Sequence, residues 1–423
     1  MTSNFKLTLL SGVAAAAATM MAASAANASY GMLPHCVGTV KCGMGGAGSA
    51  KAGAAVDAAM NPALSAHMGN EYQVNLGWFW ADVEGQTMVT NANFAVSREQ
   101  GTKQTSSADS FPNGSIGVNY KLDDVRTLNI SIVPGGGGAS KWAESRTANL
   151  IGANNSVNDD QEITYEMVYL QPSMSWKVSD TASYGIGAIL SHATIKTDSI
   201  YGQFEVTDNP NKKETFYGAG FQLGGVWQVD AASNASVAVN YRSPVWHGDT
   251  GNYKGKVFAA PIDTPQQVTA GVAFDPMEGT TFAMDYKFVN WSASATIGNW
   301  PDGAAGTESA GFGWVDQHIL MFGVEQEIDP STRVRIGYSY GNSPIEENNV
   351  FANFLFPAII EHHITLGGEF DIDDRSSVGF SAYVTPKASV TDDGTGGTYS
   401  GMGSGTSLTH QQYGFQLSYE GSF

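Results

Sequence analysis

Tyr413-Gly-Phe-Gln-Leu-Ser-Tyr-Glu-Gly-Ser-Phe423 closes the chain with side chains that alternate between apolar or aromatic and polar or small. Successive side chains of a strand point to opposite faces, so Tyr413, Phe415, Leu417, Tyr419 and Phe423 share one face while Gln416, Ser418, Glu420 and Ser422 share the other. One greasy face and one polar face, ending on an aromatic, is the pattern of a lipid-facing barrel strand. A soluble sheet has the same period, and the rest of the chain decides between them.

At the other end, Lys6 precedes an apolar run rich in Leu and Ala that finishes at Ala26-Asn27-Ala28. This is the pattern of a secretory signal peptide over residues 1–28, with the mature protein starting near Ser29. No other run supplies the roughly 18 apolar residues that a spanning helix needs. Membrane residence therefore means an all-β fold, a transmembrane antiparallel barrel. Composition agrees, because charged residues make up only 14% and the 50 glycines and 11% aromatics are spread along the chain rather than gathered in helical blocks. The net charge of −19 excludes nucleic acid as a partner. Cys36 and Cys42 follow the export segment, where an oxidising compartment favours one local disulfide. Free or metal-bound thiols are the alternative, at a spacing that is not a common zinc spacing.

Period-two runs bounded by turn residues predict fourteen strands, near 71–91, 111–121, 125–134, 161–177, 181–197, 213–229, 233–247, 261–275, 279–292, 313–328, 331–342, 359–372, 375–388 and 409–423. Short Asp-bearing connectors, such as Leu122-Asp-Asp-Val and Ile328-Asp-Pro-Ser, alternate with long polar ones, which places turns on one rim and loops on the other. One long connector carries Phe351, Phe354 and Phe356, three rings that need either loop packing or a greasy ligand to cover them. Alternation sends Arg242, Lys287, Arg333 and Arg335 into the lumen, since a charge on the lipid face costs roughly 2–4 kcal/mol near the midplane. There they either pair with lumen acids such as Glu166, Asp285 and Glu369 or meet a ligand.

Gly43-Met-Gly45-Gly-Ala-Gly48 matches a dinucleotide fingerprint in letters only, because no strand–turn–helix unit surrounds it; a compact glycine turn is the better reading. No nucleophile elbow or zinc-protease motif occurs, and His362 and His363 point to opposite faces of one strand. The chain reads as a non-enzyme without cofactor or metal.

About forty mature residues precede the first strand, a segment suited to a plug inside the barrel. With that lead-in, the order of Asn61-Pro62-Ala63, Phe111-Pro-Asn-Gly, Ile132-Val-Pro134-Gly135, Gln171-Pro172-Ser, Tyr241-Arg242-Ser243, Asn290-Trp291-Ser292 and His363-Ile-Thr-Leu-Gly-Gly368 resembles the FadL family of outer-membrane transporters for long-chain fatty acids and other hydrophobic compounds. The resemblance implies a monomeric barrel with signal peptide 1–28, hatch 29–70 and barrel 71–423. It implies passive uptake of a long-chain fatty acid or other hydrophobic small molecule and release sideways into the outer membrane of a Gram-negative cell. Its other partners would be lipid and lipopolysaccharide and the barrel-insertion machinery, which reads the terminal aromatic. Asn61, Pro62 and Ala63 match the hatch motif. Pro134 and Gly135 mark a lateral opening or a plain loop entry, since proline cannot donate to a ladder. Arg242, Lys287, Arg333 and Arg335, in that order, are the lumen cations proposed for a ligand carboxylate, with Phe351, Phe354 and Phe356 for its tail. Were every cation paired, a neutral aromatic or alkane hydrocarbon would be favoured instead. A barrel enzyme or a general porin for polar solutes is the alternative class.

Overall fold

In the computed structural model the described residues are 29–90, 98–100, 103–142, 161–197, 199–200, 204–205, 212–301 and 311–423. The export segment 1–28 and parts of four long connectors lie outside them. Fourteen long strands form the wall. They are β1 (Glu71–Gln86), β2 (Ser110–Lys121), β3 (Arg126–Trp142), β4 (Gln161–Ser179), β5 (Ala182–Thr197), β6 (Glu214–Asp230) and β7 (Ala235–Arg242), then β8 (Gln267–Met277), β9 (Thr280–Val289), β10 (Gln317–Asp329), β11 (Thr332–Gly341), β12 (His362–Asp373), β13 (Ser376–Val384) and β14 (Ser407–Ser422). Each pairs antiparallel with the next, and β14 returns to β1 from Glu71↔Ser422 to Gln86↔Ser407. Closure pairs the last strand with the first, as a sheet in lipid requires, and leaves one partly open seam.

The outer face carries Leu76, Trp78, Ile186, Leu190, Phe322, Ile336, Leu366, Phe415 and Leu417, all exposed, while the inward positions mix polar residues such as Gln73, Asn75, Ser191 and Ser339 with buried apolar ones such as Phe79, Ile189 and Met321. In the closing strand the alternation holds, with Tyr413, Phe415, Leu417 and Tyr419 outward. One rim is made of short turns, and their aspartates explain themselves. Asp123, Asp230, Asp329 and Asp373 each accept backbone N–H bonds from residues two or three positions on, closing the turn with the side chain. Long connectors occupy the opposite rim.

One seam is incomplete. The β2–β3 ladder runs from Lys121↔Thr127 to Ile116↔Ile132 and stops. Beyond it Ser110–Ser115 pair with β1, and β3 pairs with β4 through a register shift at Pro134/Gly136. The seam is tied again near the loop rim, where Ser107 N–H donates to the Lys141 carbonyl at 2.8 Å and Lys141 N–H to Ser106 Oγ at 3.0 Å.

Residues ahead of β1 fill the lumen. A short helix α1 (Thr39–Gly43) and two 3-10 turns, Ala55–Ala59 and Pro62–His67, make a plug whose side chains are almost all buried. Gly45, Gly46 and Gly48 adopt φ of 69°, 88° and 115°, a tight turn open to glycine. Its N–H groups at Gly48 and Ser49 donate to Asp285 at 3.1 and 2.9 Å. Asn61 organises the next segment: Oδ1 accepts from Ala63 N–H at 3.1 Å and Nδ2 donates to the Ser49 carbonyl at 3.0 Å. The wall makes room for it at Gly224, where a Cβ would sit 1.9 Å from Asn61 Oδ1. Cys36 and Cys42 are bridged, closing the loop that leads into α1.

Candidate functional site

The four predicted lumen cations divide into two pairs. Arg335 lies between Glu325 (2.6 Å) and Glu369 (2.7 Å), and Arg333 reaches Glu369 (2.8 Å) and Asp371 (2.6 Å). Plug residue Lys51 joins this layer through Glu325 at 3.5 Å and Asp275 at 3.8 Å. Together they border a polar chamber of about 340 Å³ between the plug and strands β8 to β12, toward the short-turn rim. Their charges are satisfied by one another, so this layer ties plug to wall and leaves little for a ligand.

Arg242 and Lys287 form no salt bridge with a carboxylate among the described residues, although Asp285, two residues before Lys287 on β9, acts on it electrostatically. Arg242 donates to the Ala59 carbonyl of the plug at 2.6 Å and lies over the Tyr169 ring, 5.9 Å from its centroid. Lys287 makes no hydrogen bond to any described residue. Both border one cavity of about 50 Å³, shared with Leu33, His35, Met60, Asn240, Gln267, Thr269, Val133, Pro134 and Gly135. Strand register builds its polar wall, since Asn240 faces Thr269 and Thr269 faces Lys287 in one row, with Arg242 and Gln267 in the next. That volume suits a head group or a few waters, not a chain. His35 reaches the same cavity from the plug, and burial holds its imidazole down to about 3, so it is neutral there. The one His/Cys/Asp/Glu group among the described residues close enough to hold a metal is His35, Cys36 and Cys42, and its two sulfurs are consumed by the disulfide.

Pro134 and Gly135 therefore stand at the junction of this cavity and the open seam. The Tyr169 ring lies beneath Gly135, where a Cβ would meet it at 2.6 Å. At Gly136, φ is 131° and a Cβ would come within 2.3 Å of the Met32 carbonyl. Gly137 N–H donates to that same carbonyl at 2.8 Å, so the plug's first residues rest on the kink.

The loop phenylalanines are buried, at different places. Phe351 sits against Gly403 in the outer loops, its N–H on Asp392 at 2.8 Å, well away from the cation cavity. Phe354 packs against Trp142, ring centroids 4.6 Å apart with the planes tilted by 38°. Phe356 dips between Trp314 and Gly138, beside Phe79 and Phe111, and fills an apolar vestibule along the seam. Ser140 Oγ, on β3, donates to the Leu355 carbonyl at 2.6 Å and holds this strap down. Alternation in the sequence places Asn240 in the lumen beside Arg242, whereas Gln267, Thr269 and His35 are polar cavity residues that sequence reading did not single out. Their signal was a polar side chain at inward positions of consecutive strands, visible only once register is known.

The family model for outer membrane protein transport proteins (OMPP1/FadL/TodX) matches residues 10–423. The chain belongs to that family. It is thus an outer-membrane barrel channel for hydrophobic compounds, in a family that is not enzymatic. Among solved structures it is similar to the Pseudomonas putida toluene transporter TodX, with 16% identity, a TM-score of 0.67, and 92% of this chain and 99% of that one covered. A Pseudomonas aeruginosa FadL homologue gives 14% identity and 0.67 over 93% and 100% of the two chains. The Ralstonia pickettii toluene transporter TbuX gives 18% and 0.60 over 92% and 99%. At these identities the likeness speaks for the fold. Compared with curated proteins, nothing matches the chain.

Proposed function

We propose that the protein is a passive importer of long-chain fatty acids or closely similar acidic amphiphiles, exported with a cleaved signal peptide to the outer membrane of a Gram-negative cell. The observation that carries this reading is the pairing state of the lumen cations. Arg333 and Arg335 are neutralised by Glu325, Glu369 and Asp371, while Arg242 and Lys287 border a cavity without a carboxylate of their own. A fixed cation in a confined site without an acid is a charge-assisted partner for a ligand carboxylate.

The seam supports lateral release. The cavity reaches Pro134 and Gly135, where the β2–β3 ladder has ended and an apolar vestibule follows. In the opposite direction the ligand's tail would have to cross the ionic layer around Arg335, which an apolar chain does not enter readily. A lumen filled by the plug also argues against a general porin. The small cavity means that the plug's first residues or the Phe356 strap must shift to admit a chain. A neutral aromatic substrate, as named for TodX and TbuX, is the second reading, favoured by the Tyr165, Tyr169 and Phe216 rings lining the lumen beside the kink.

Equilibrium binding to the purified protein in nanodiscs separates the two. Dodecanoate should bind at least tenfold more tightly than 1-dodecanol or toluene, and Lys287→Met should remove most of that margin. Equal binding of acid and alcohol by the native protein would reject the acid reading in favour of the neutral one.

A further inference from the structure

We infer that the head group accepted by the Arg242–Lys287 cavity carries a hydrogen-bond donor beside its carboxylate, so that the preferred ligand is a hydroxylated long-chain acid rather than a plain one. This rests on the reading of the cavity as the acid-binding site and narrows it.

A carboxylate is an acceptor only. Lys287 and Arg242 supply enough N–H donors for its two oxygens, and a plain fatty acid has nothing further to offer. The cavity wall nevertheless holds buried polar atoms that the cations do not serve. Asn240 is 4% exposed and its Oδ1 has no partner; His35 is 5% exposed and its Nε2 has none either. The Asn240 amide stands in the same cross-strand row as Thr269 and Lys287, one ladder step from Arg242 and Gln267. An amide oxygen beside two cations is a surplus acceptor. A buried acceptor left without a donor is costly, and a site built around one discriminates strongly for the ligand that fills it. A hydroxyl on the second or third carbon lies close enough to the carboxylate to reach such a group while the acid stays on the cations. The neutral imidazole of His35 adds one more position able to accept or donate to the same hydroxyl.

The test compares dodecanoate, 2-hydroxydodecanoate, 3-hydroxydodecanoate and 1-dodecanol for binding to the purified full chain in nanodiscs. One of the two hydroxy acids should bind about tenfold more tightly than dodecanoate, and Asn240→Leu should erase that margin. Hydroxy acids no better than dodecanoate on the native protein would overturn the inference, meaning that water serves the surplus acceptors; so would a margin that survives Asn240→Leu. In both cases a preserved preference for dodecanoate over 1-dodecanol leaves the acid reading standing, and loss of that preference too would remove both. The decisive comparison is made on the native protein and does not depend on a variant folding.

Discussion

The Arg242 guanidinium, on the last residue of β7, donates a 2.6 Å hydrogen bond to the carbonyl of Ala59 in the plug. One side chain thus borders the cavity shared with Lys287 and fastens the 3-10 turn that runs into Asn61-Pro62-Ala63. Hydrogen bonds from a charged donor contribute roughly 1.5–3 kcal/mol. Arg242→Met should therefore leave the barrel folded while amides of residues 55–63 exchange about tenfold to a hundredfold faster, measured by hydrogen exchange and mass spectrometry. Native protection in the variant would show that the plug is held elsewhere.

The ionic layer around Arg335 makes a separate prediction about stability. Arg335 is 6% exposed and is held by two carboxylates, and removing one partner of a buried pair strands the other. Glu325→Gln takes a partner from both Arg335 and Lys51, with an expected loss of about 3 kcal/mol or more. The readout is the temperature at which the folded band converts to the unfolded one on a semi-native gel, which should fall clearly below that of Glu346→Gln, a change on an exposed outer-loop acid. Equal midpoints for the two variants would mean that the layer is not a stabilising device.

Much of the wall was legible because a strand's period is local: each of the fourteen predicted runs overlaps one stave, although the third, expected to end at Pro134, runs on to Trp142 through a register shift at Pro134/Gly136. The state of each cation was not legible, since it depends on register between strands distant in sequence. Arg333 faces Glu369 across β11 and β12, and Arg335 faces Glu325 across β10 and β11, whereas Lys287 faces Thr269 and Ile319. No inspection of Arg333 or Lys287 in its own strand separates these fates. The Phe351 to Phe356 stretch stays open in the sequence, between loop packing and a ligand, for a related reason. Its apolar run says that the rings are covered, but Gly138, Trp142 and Gly403, which cover them, come from two other parts of the chain.

His35 stacks on His363 with ring centroids 4.6 Å apart and planes 15° from parallel, and the expected outcome is a plug that responds to pH. Tyr383 packs edge-on against His35 at 4.5 Å and Tyr30 against His363 at 5.2 Å, while Lys287 is the charged group that acts on His35. No carboxylate among the described residues bonds to either imidazole. Burial is the main cause that lowers His35 from 6.5 to about 3, with Lys287 adding to it. A base with a depressed folded value stays neutral in place and takes up its proton when released. The stack is therefore at full strength above pH 6.5 and weakens progressively as the pH falls from 6.5 toward 3. Between pH 7.5 and pH 5 the opening of residues 29–37 should rise by up to about 30-fold, after correction for intrinsic exchange. His35→Phe keeps a ring in the stack and removes one of its two imidazoles, so its exchange should rise clearly less than that of the native protein over the same interval. If native protein and His35→Phe respond alike to acid, the stacked imidazoles are a passive packing contact and the pH response of the plug originates elsewhere.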